Sequence, residues 1–174
     1  MNTGKVAFLV IDMLNDFVLK GAVLEVTAAR KIIPTLKNRI EKARKKKIPI
    51  IYICDSHAED DKEFEIWPPH AIKGTKGAQV VEGLSPEHED YLVEKSTYSG
   101  FYNTELEDLL KRLNIEELII TGTVTNICVM YTVADAIFRG YKVKVLKDCV
   151  AAVNENDHQF ALRQMKNILK AEII

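Results

Sequence analysis

Short apolar runs alternate along this chain with longer segments in which apolar residues recur at helical spacing. The runs are continuous, as is typical of strands that are covered on both faces of a sheet. They predict six strands, at 6–11, 48–54, 91–93, 118–120, 142–146 and 172–174. The periodic segments predict helices at 28–47, 104–113, 129–138 and 155–169. This alternation predicts an α/β fold with three α/β/α layers and a Rossmann-like, mainly parallel six-stranded sheet.

Several predicted strands end in residues that can carry chemistry. Asp12 and Asp55 each follow such a strand directly, and the strand at 91–93 ends in Glu94 and Lys95. His57 lies two residues after Asp55. Open α/β sheets bind ligands at the carboxyl ends of their strands, so we expect these side chains to converge there. Taken singly, each has a plainer interpretation, because Asp12 could cap a turn and Lys95 could be solvated.

Cys128 follows the strand at 118–120, where the chain turns through 121–126 into a helix. This arrangement predicts a cysteine in the first turn of that helix, where free backbone N–H groups and the dipole favour a thiolate. Thr125 or Asn126 could cap the helix. The plainer alternative is that Cys128 is a small buried apolar residue. With Asp12 to move protons and Lys95 to stabilise charge, it would form a nucleophilic centre.

The segment 58–90 lacks clear periodicity, which in a compact domain favours a functional loop. It contains the only tryptophan, Trp67, and His70. If the loop folds back, His70 joins Asp55 and His57, and the three ligands predict a divalent-metal site. Zn²⁺ is the first expectation, with Fe²⁺ or Mn²⁺ as alternatives. A surface loop with incidental histidines is the competing interpretation.

The composition predicts one globular domain over residues 1–174. The chain is 47% hydrophobic and 28% charged, with a net charge of -1. Balanced charge argues against nucleic acid or a membrane surface as partner, and no apolar run is long enough for a membrane span. The first residues show no secretory signal, and the three cysteines are scattered without a disulfide pattern. We therefore expect a cytoplasmic protein. We also expect a homo-oligomer, either a dimer or a tetramer.

Over nearly its whole length, the chain also resembles the isochorismatase-like cysteine hydrolases, in particular their nicotinamidase and N-carbamoylsarcosine amidase branches. The matching segments are 10–17, Lys95 with 98–101 and Thr104, and 122–129 with Thr132, Asp135 and Ala136. The resemblance implies a Cys-Asp-Lys triad of Cys128, Asp12 and Lys95. It also implies a cis peptide before Val124, which would aim the Val124 and Cys128 backbone N–H groups into an oxyanion hole.

For the ligands, the resemblance to nicotinamidases implies that Asp55, His57 and His70 bind the metal and that Phe17 and Trp67 line the substrate pocket. The chain departs from nicotinamidases at three places. Ser56 replaces a tryptophan, Ala71 replaces a cysteine, and a histidine after the second ligand is missing, for which Asp60 or Asp61 is the candidate replacement.

The predicted function is that of a cysteine amidohydrolase, which cleaves the C–N bond of a small amide through a thioester. The metal residues favour nicotinamide as substrate, whereas the departures favour a linear or N-carbamoyl amide. Cys128 argues against the true isochorismatases, which generally lack it. A non-catalytic metal-binding protein is the alternative of another class. A thiol redox protein ranks below it, since no C-x-x-C is present.

Overall fold

A computed structural model describes residues 5–174, so the first residues, in which we expect no secretory signal, lie outside it. Across the described residues, six strands form one sheet in the order β3-β2-β1-β4-β5-β6, and every pairing is parallel. The strands are β1 (Lys5–Ile11), β2 (Ile50–Asp55), β3 (Tyr91–Lys95), β4 (Ile115–Thr123), β5 (Lys142–Ala151) and β6 (Glu172–Ile173). This order confirms the predicted six-stranded, three-layer α/β fold.

The helices connect successive strands and cover both faces of the sheet. They are α1 (Asn15–Val18), α2 (Thr27–Lys45), α3 (Leu106–Arg112), α4 (Met130–Phe138) and α5 (Glu155–Asn167). Segment 58–90 contains two short 3₁₀ helices, Lys62–Glu65 and Glu82–Leu84. None of the helices between residues 5 and 174 combines the length and apolar content needed to cross a membrane.

Successive residues of β1 point into two different apolar clusters, which is why β1 reads as a continuous apolar run. Leu9 and Ile11 pack with residues from α3, α4 and α5, whereas Phe8 and Val10 pack with residues from α2. Both clusters are buried. A central strand with water on neither face needs apolar side chains at every position.

The strand order brings the carboxyl ends of β1, β2, β3 and β4 side by side. Asp55 pairs with Lys95 across β2 and β3, and Ile11 pairs with Gly122 across β1 and β4. Gly122 has φ +112°, and a Cβ there would lie 2.0 Å from the Ile11 carbonyl oxygen. Only glycine therefore permits this close approach of the two backbones.

Candidate active site

Lys95 lies at the centre of a buried cluster formed by these four strand ends. Its Nζ is 2.8 Å from Asp12 Oδ2 and 3.6 Å from Cys128 Sγ, and it also contacts Asp55 Oδ1. Lys95 is 3% exposed, and the three other residues are buried as well. The structure thus brings Asp12, Asp55, Lys95 and Cys128 together at one edge of the sheet, as the sequence analysis predicts.

Asp12 occupies a left-handed backbone conformation, with φ 48°, at the first position after β1. Aspartate is among the residues that tolerate this region best. The turn directs one carboxylate oxygen to the Asp55 backbone N–H, at 2.8 Å, and the other to Lys95. Oxygens of Asp12 and Asp55 and the sulfur of Cys128 lie within 4.8 Å of one another. Asp12 therefore links the carboxyl ends of β1 and β2 by a hydrogen bond, and its carboxylate also lies close to the Cys128 thiol.

Cys128 lies in a π-helical turn, Thr125–Val129, that precedes α4. The expected side-chain cap at Thr125 or Asn126 is absent from this described segment. Instead, the Thr125 hydroxyl forms a 3.0 Å hydrogen bond with His158 Nδ1 on α5. The peptide bond between Thr123 and Val124 is cis, as the family resemblance implies.

The charges in the cluster set the protonation of the thiol and the carboxylate. Burial raises the pKa of the Cys128 thiol well above its usual range; Lys95 lowers that pKa, while Asp12 and Asp55 raise it further. The pKa of Asp12 rises to about 6, first through burial and then through Asp55, against the opposing effect of Lys95. At neutral pH, Asp12 is thus mostly ionised while Cys128 keeps its proton. The expectation that a helix start alone favours the thiolate neglected this burial.

Asp55, His57 and His70 form a second buried cluster beside the first. The Nε2 atoms of His57 and His70 are 3.8 and 3.9 Å from Asp55 Oδ2. Each ring is oriented through its other nitrogen: His57 Nδ1 lies 3.1 Å from Asp61 Oδ2, and His70 Nδ1 lies 2.8 Å from the Pro68 carbonyl oxygen. Such hydrogen bonds on the far nitrogen are typical of metal-ligating histidines.

The surroundings of His57 Nε2 favour a cation at this position. It is fully buried and, within residues 5–174, has no hydrogen-bond partner. Burial lowers the pKa of His57, but Asp55 and Asp61 raise it by more, to about 9. The site therefore attracts positive charge, and a metal ion would take the place of that proton. Two imidazole nitrogens and one carboxylate oxygen within 4.8 Å fit a divalent metal.

Asp61 supports this cluster from outside it. Its carboxylate contacts the far nitrogen of His57 and caps the helix Lys62–Glu65 through the Glu63 backbone N–H, at 2.9 Å. Asp61 contacts the candidate ligand His57 but does not belong to the ligand group itself, and Asp60 is exposed. Neither residue thus replaces the missing histidine as a ligand in this arrangement.

A cavity of about 300 Å³ opens onto both clusters. Its walls include Phe17 and Trp67, as well as Val124, Cys128 and His70. Sequence reasoning missed several further wall residues, among them Glu63, Tyr98 and Val153. Of these three, only Tyr98 carried a sequence signal, because it belongs to the matching segment 98–101. Its hydroxyl accepts a 3.0 Å hydrogen bond from Trp67 Nε1–H, which joins loops 31 residues apart.

The comparisons with known proteins agree with this fold. The family model described as the Isochorismatase domain matches residues 6–173. The crystal structure of N-carbamoylsarcosine amidase from Thermoplasma acidophilum is 34% identical, with a TM-score of 0.89, and covers 97% of this chain and 95% of that one. That of nicotinamidase/pyrazinamidase from Bacillus subtilis is 32% identical, with a TM-score of 0.93 and coverages of 97% and 98%.

Two further relatives bear on the metal and on activity. The structure of a pyrazinamidase from Pyrococcus horikoshii in complex with zinc is 30% identical, with a TM-score of 0.92 and 98% coverage of both chains. A protein of Arabidopsis thaliana named a probable inactive nicotinamidase is 35% identical over 173 residues, 93% of this chain and 88% of its own length. On the family match and these identities, this chain belongs to the isochorismatase family of hydrolases.

Proposed function

We propose that this protein is an amidohydrolase that cleaves the C–N bond of a small amide through a thioester on Cys128. The observation that carries the proposal is the position of Lys95 Nζ, 2.8 Å from Asp12 Oδ2 and 3.6 Å from Cys128 Sγ. A thiol, a carboxylate and an ammonium group meet at the wall of a largely apolar cavity. That combination is sufficient for nucleophilic catalysis on a carbonyl group.

Acylation begins with proton transfer from the Cys128 thiol to Asp12, whose carboxylate is ionised at neutral pH. The sulfur attacks the amide carbonyl carbon, and the backbone N–H groups of Val124 and Cys128 stabilise the oxyanion that forms. Such donors are often worth about 3 kcal/mol each. Burial lowers the pKa of Lys95, but Asp12 and Asp55 raise it well above its usual range, so Lys95 stays protonated beside both charges.

When the tetrahedral intermediate breaks down, the proton that Asp12 took from Cys128 passes to the substrate. Protonated Asp12 donates it to the leaving nitrogen, ammonia departs, and a thioester on Cys128 remains. Asp12 then removes a proton from water, and the resulting hydroxide attacks the thioester. The carboxylic acid leaves, and the Cys128 sulfur takes back the proton from Asp12. Atoms and charge balance over the cycle, with amide and water giving acid and ammonia.

Asp55, His57 and His70 would hold the divalent metal. When bound, that ion would act as a Lewis acid, which can bind a ring nitrogen or orient water. His70 lines the substrate cavity, and Asp55 also contacts Lys95, so the ligands connect this site to the reacting groups. The metal in a homologous pyrazinamidase supports the assignment, with Zn²⁺ as the first candidate.

Nicotinamide is the first candidate substrate, because Phe17 and Trp67 give the cavity aromatic walls that suit a flat ring. The departures at Ser56 and Ala71 do not change those walls. The Ser56 hydroxyl donates to Glu94 on an exposed surface, and Ala71 uses its backbone N–H to bind Asp16. An N-carbamoyl amide is the second candidate, supported by the 34% identity to N-carbamoylsarcosine amidase.

Measurement of ammonia release over a panel of amides tests the proposal. The panel contains nicotinamide, N-carbamoylsarcosine and succinamide, each with and without chelator. We expect release from nicotinamide that depends on metal. No release from any amide, with metal-replete folded protein, would refute the amidase assignment and favour the non-catalytic alternative, to which the probable inactive relative lends support.

A further inference from the structure

His158 takes no part in the proposed reaction or in the candidate metal cluster, yet it contacts the turn that contains Cys128. It lies half-buried in the first turn of α5, and its Nδ1 is 3.0 Å from the Thr125 hydroxyl oxygen. Thr125 is fully buried and begins the π-helical turn. Among the described residues, the His158 ring has no other hydrogen bond. This hydrogen bond is therefore a polar link between α5 and the turn.

The backbone of this turn is closed by a single carbonyl group. The Val124 carbonyl oxygen accepts the Ile127 N–H at 3.0 Å and the Val129 N–H at 3.2 Å. These two hydrogen bonds fix the shape of the turn, but they do not fix its place in the molecule, because both donors belong to the turn itself. Its position therefore depends on contacts with other elements.

Two buried threonine hydroxyls, one on each side of Val124, supply polar contacts of that kind. Thr123 donates to the Ala151 carbonyl oxygen, 3.0 Å away at the end of β5. Thr125 forms its hydrogen bond with His158. Both threonines are fully buried. The segment that would provide the Val124 N–H to the oxyanion is thus held from two sides.

The helix α5 is a firm support for the contact with Thr125. Its N-terminus is capped by Asn154, whose side-chain oxygen accepts the Asp157 N–H at 2.9 Å. Its buried face packs in the apolar cluster that also contains Cys128, through Ala161, Leu162 and Met165. Side chains that are held on rigid elements of this kind keep reacting groups in a fixed geometry.

We propose that His158 is a positioning residue: through Thr125, it holds the Cys128 turn in the place where the thiol and the oxyanion donors act on the substrate carbonyl. This inference rests on the proposed amidase function. His158 is not among the described residues that line the substrate cavity, so it acts on the reaction only through the turn. A displacement of reacting groups by about 1 Å can cost about 100-fold in rate.

Two substitutions remove the hydrogen bond and a third retains it. His158→Leu removes the imidazole and Thr125→Val removes only the hydroxyl, whereas His158→Asn keeps a polar atom near the position of Nδ1. For nicotinamide, or for the fastest amide of the panel, the first two should lower kcat at least about tenfold and change KM by less than about threefold. His158→Asn should keep kcat within about threefold of the unchanged protein. The double variant Thr125→Val/His158→Leu should lose no more than either single variant, because both remove the same contact.

Thr121→Val is the matched control. Thr121 is also a buried threonine, and its hydroxyl donates to the Leu9 carbonyl oxygen at 2.7 Å, but it lies within β4 and before the turn. Its kcat should stay within about threefold of the unchanged protein. Equal losses of kcat in Thr121→Val and Thr125→Val would overturn the proposal. A folded His158→Asn protein, checked by circular dichroism, that is as slow as His158→Leu would also overturn it.

Hydrogen–deuterium exchange without substrate separates this inference from the proposed function. Peptides that cover 123–130 should exchange faster in His158→Leu and Thr125→Val, and at the original rate in His158→Asn. If they do so and no amide is hydrolysed even by the unchanged protein, the proposed function fails and the positioning of the turn by His158 stands. If amides are hydrolysed with the same kcat in every variant, the reverse holds, whatever the exchange rates.

Discussion

Cys128, Asp12 and Lys95 each depend on the other two for their charge state. Burial keeps the proton on Cys128, and the carboxylate of Asp12 is held ionised beside Lys95. A thiol in this setting needs a base next to it before it can attack. The two predictions at the scale of single residues follow from this dependence.

Replacement of Cys128 by alanine should abolish amide hydrolysis and leave the fold intact. The change removes the nucleophile but little volume, so the free energy of unfolding should move by only about 1 kcal/mol. Ammonia release and thermal unfolding of the two proteins check both parts. Appreciable turnover by the folded variant would rule out the thioester mechanism.

Lys95→Met should reduce kcat/KM by at least about 100-fold, because it removes the cation that stabilises Asp12 and Asp55. It should also destabilise the fold by about 3–5 kcal/mol, since it leaves two buried carboxylates without a cation. Assays therefore need a temperature at which circular dichroism shows that the variant is folded.

Asp16→Asn is the matched comparison for Lys95→Met. Asp16 accepts the Ala71 backbone N–H at 2.8 Å, and asparagine retains an oxygen for that hydrogen bond. Its loss in kcat/KM should stay below about tenfold. Similar losses in the two folded variants would mean that Lys95 has no special part in the reaction.

At the scale of elements, the strands and their ends could be predicted because buried parallel strands leave a local signature. The runs before Asp12 and Asp55 are apolar, and the aspartate marks the carboxyl end of each strand. The start of α4 was predicted less well. A π-helical turn precedes it, and the hydrogen bond between Thr125 and His158 joins residues 33 positions apart, which no local pattern predicts.

The remaining parts of the site could not be predicted for the same reason, because they depend on contacts between residues far apart in sequence. The position of Asp61 behind His57 depends on how the segment 58–90 folds back, and so do the cavity walls at Glu63 and Tyr98. The raised pKa of Cys128 likewise reflects burial by elements far away in sequence. Residue type and spacing indicated which groups converge, but not how tightly each is enclosed.

Gly122→Ala tests the junction between β1 and β4. A Cβ at this position would lie 2.0 Å from the Ile11 carbonyl oxygen, so the strands would have to separate. We expect a loss of at least about 4 kcal/mol in the free energy of unfolding, or no soluble protein. Denaturant titration checks the prediction.

Gly140→Ala provides the control, because Gly140 also has a positive φ, +87°, but open space around it. The left-handed backbone alone should cost about 1–2 kcal/mol. Equal destabilisation by the two substitutions would show that the contact with Ile11 is unimportant.

At the scale of the whole molecule, the candidate metal ligands and the cavity combine residues from β2, from the segment 58–90 and from the Cys128 turn. We expect about one equivalent of divalent metal per chain, and its loss from the double variant His57→Ala/His70→Ala. Elemental analysis of purified protein, repeated after reconstitution, measures this. Metal-free protein after reconstitution would remove the metal site, and only the aromatic walls of the cavity would then support nicotinamide.

Chelation should affect the two candidate substrates differently. If the ion binds the ring nitrogen of nicotinamide, its removal should raise KM for nicotinamide more than it lowers kcat. A linear amide has no ring nitrogen, so its hydrolysis should respond weakly. Equal effects on both substrates would show that the metal does not recognise the ring. The expected homo-oligomer stays a prediction, which light scattering can check.

The most direct test of the account is detection of the acyl group on Cys128. Rapid acid quench during turnover of nicotinamide or another hydrolysed amide, followed by mass spectrometry, should show one acyl group per chain. After digestion, the adduct should map to the peptide containing Cys128 and be absent from Cys128→Ala protein. Hydrolysis that proceeds without any adduct, and continues in the Cys128→Ala protein, would contradict the central claim.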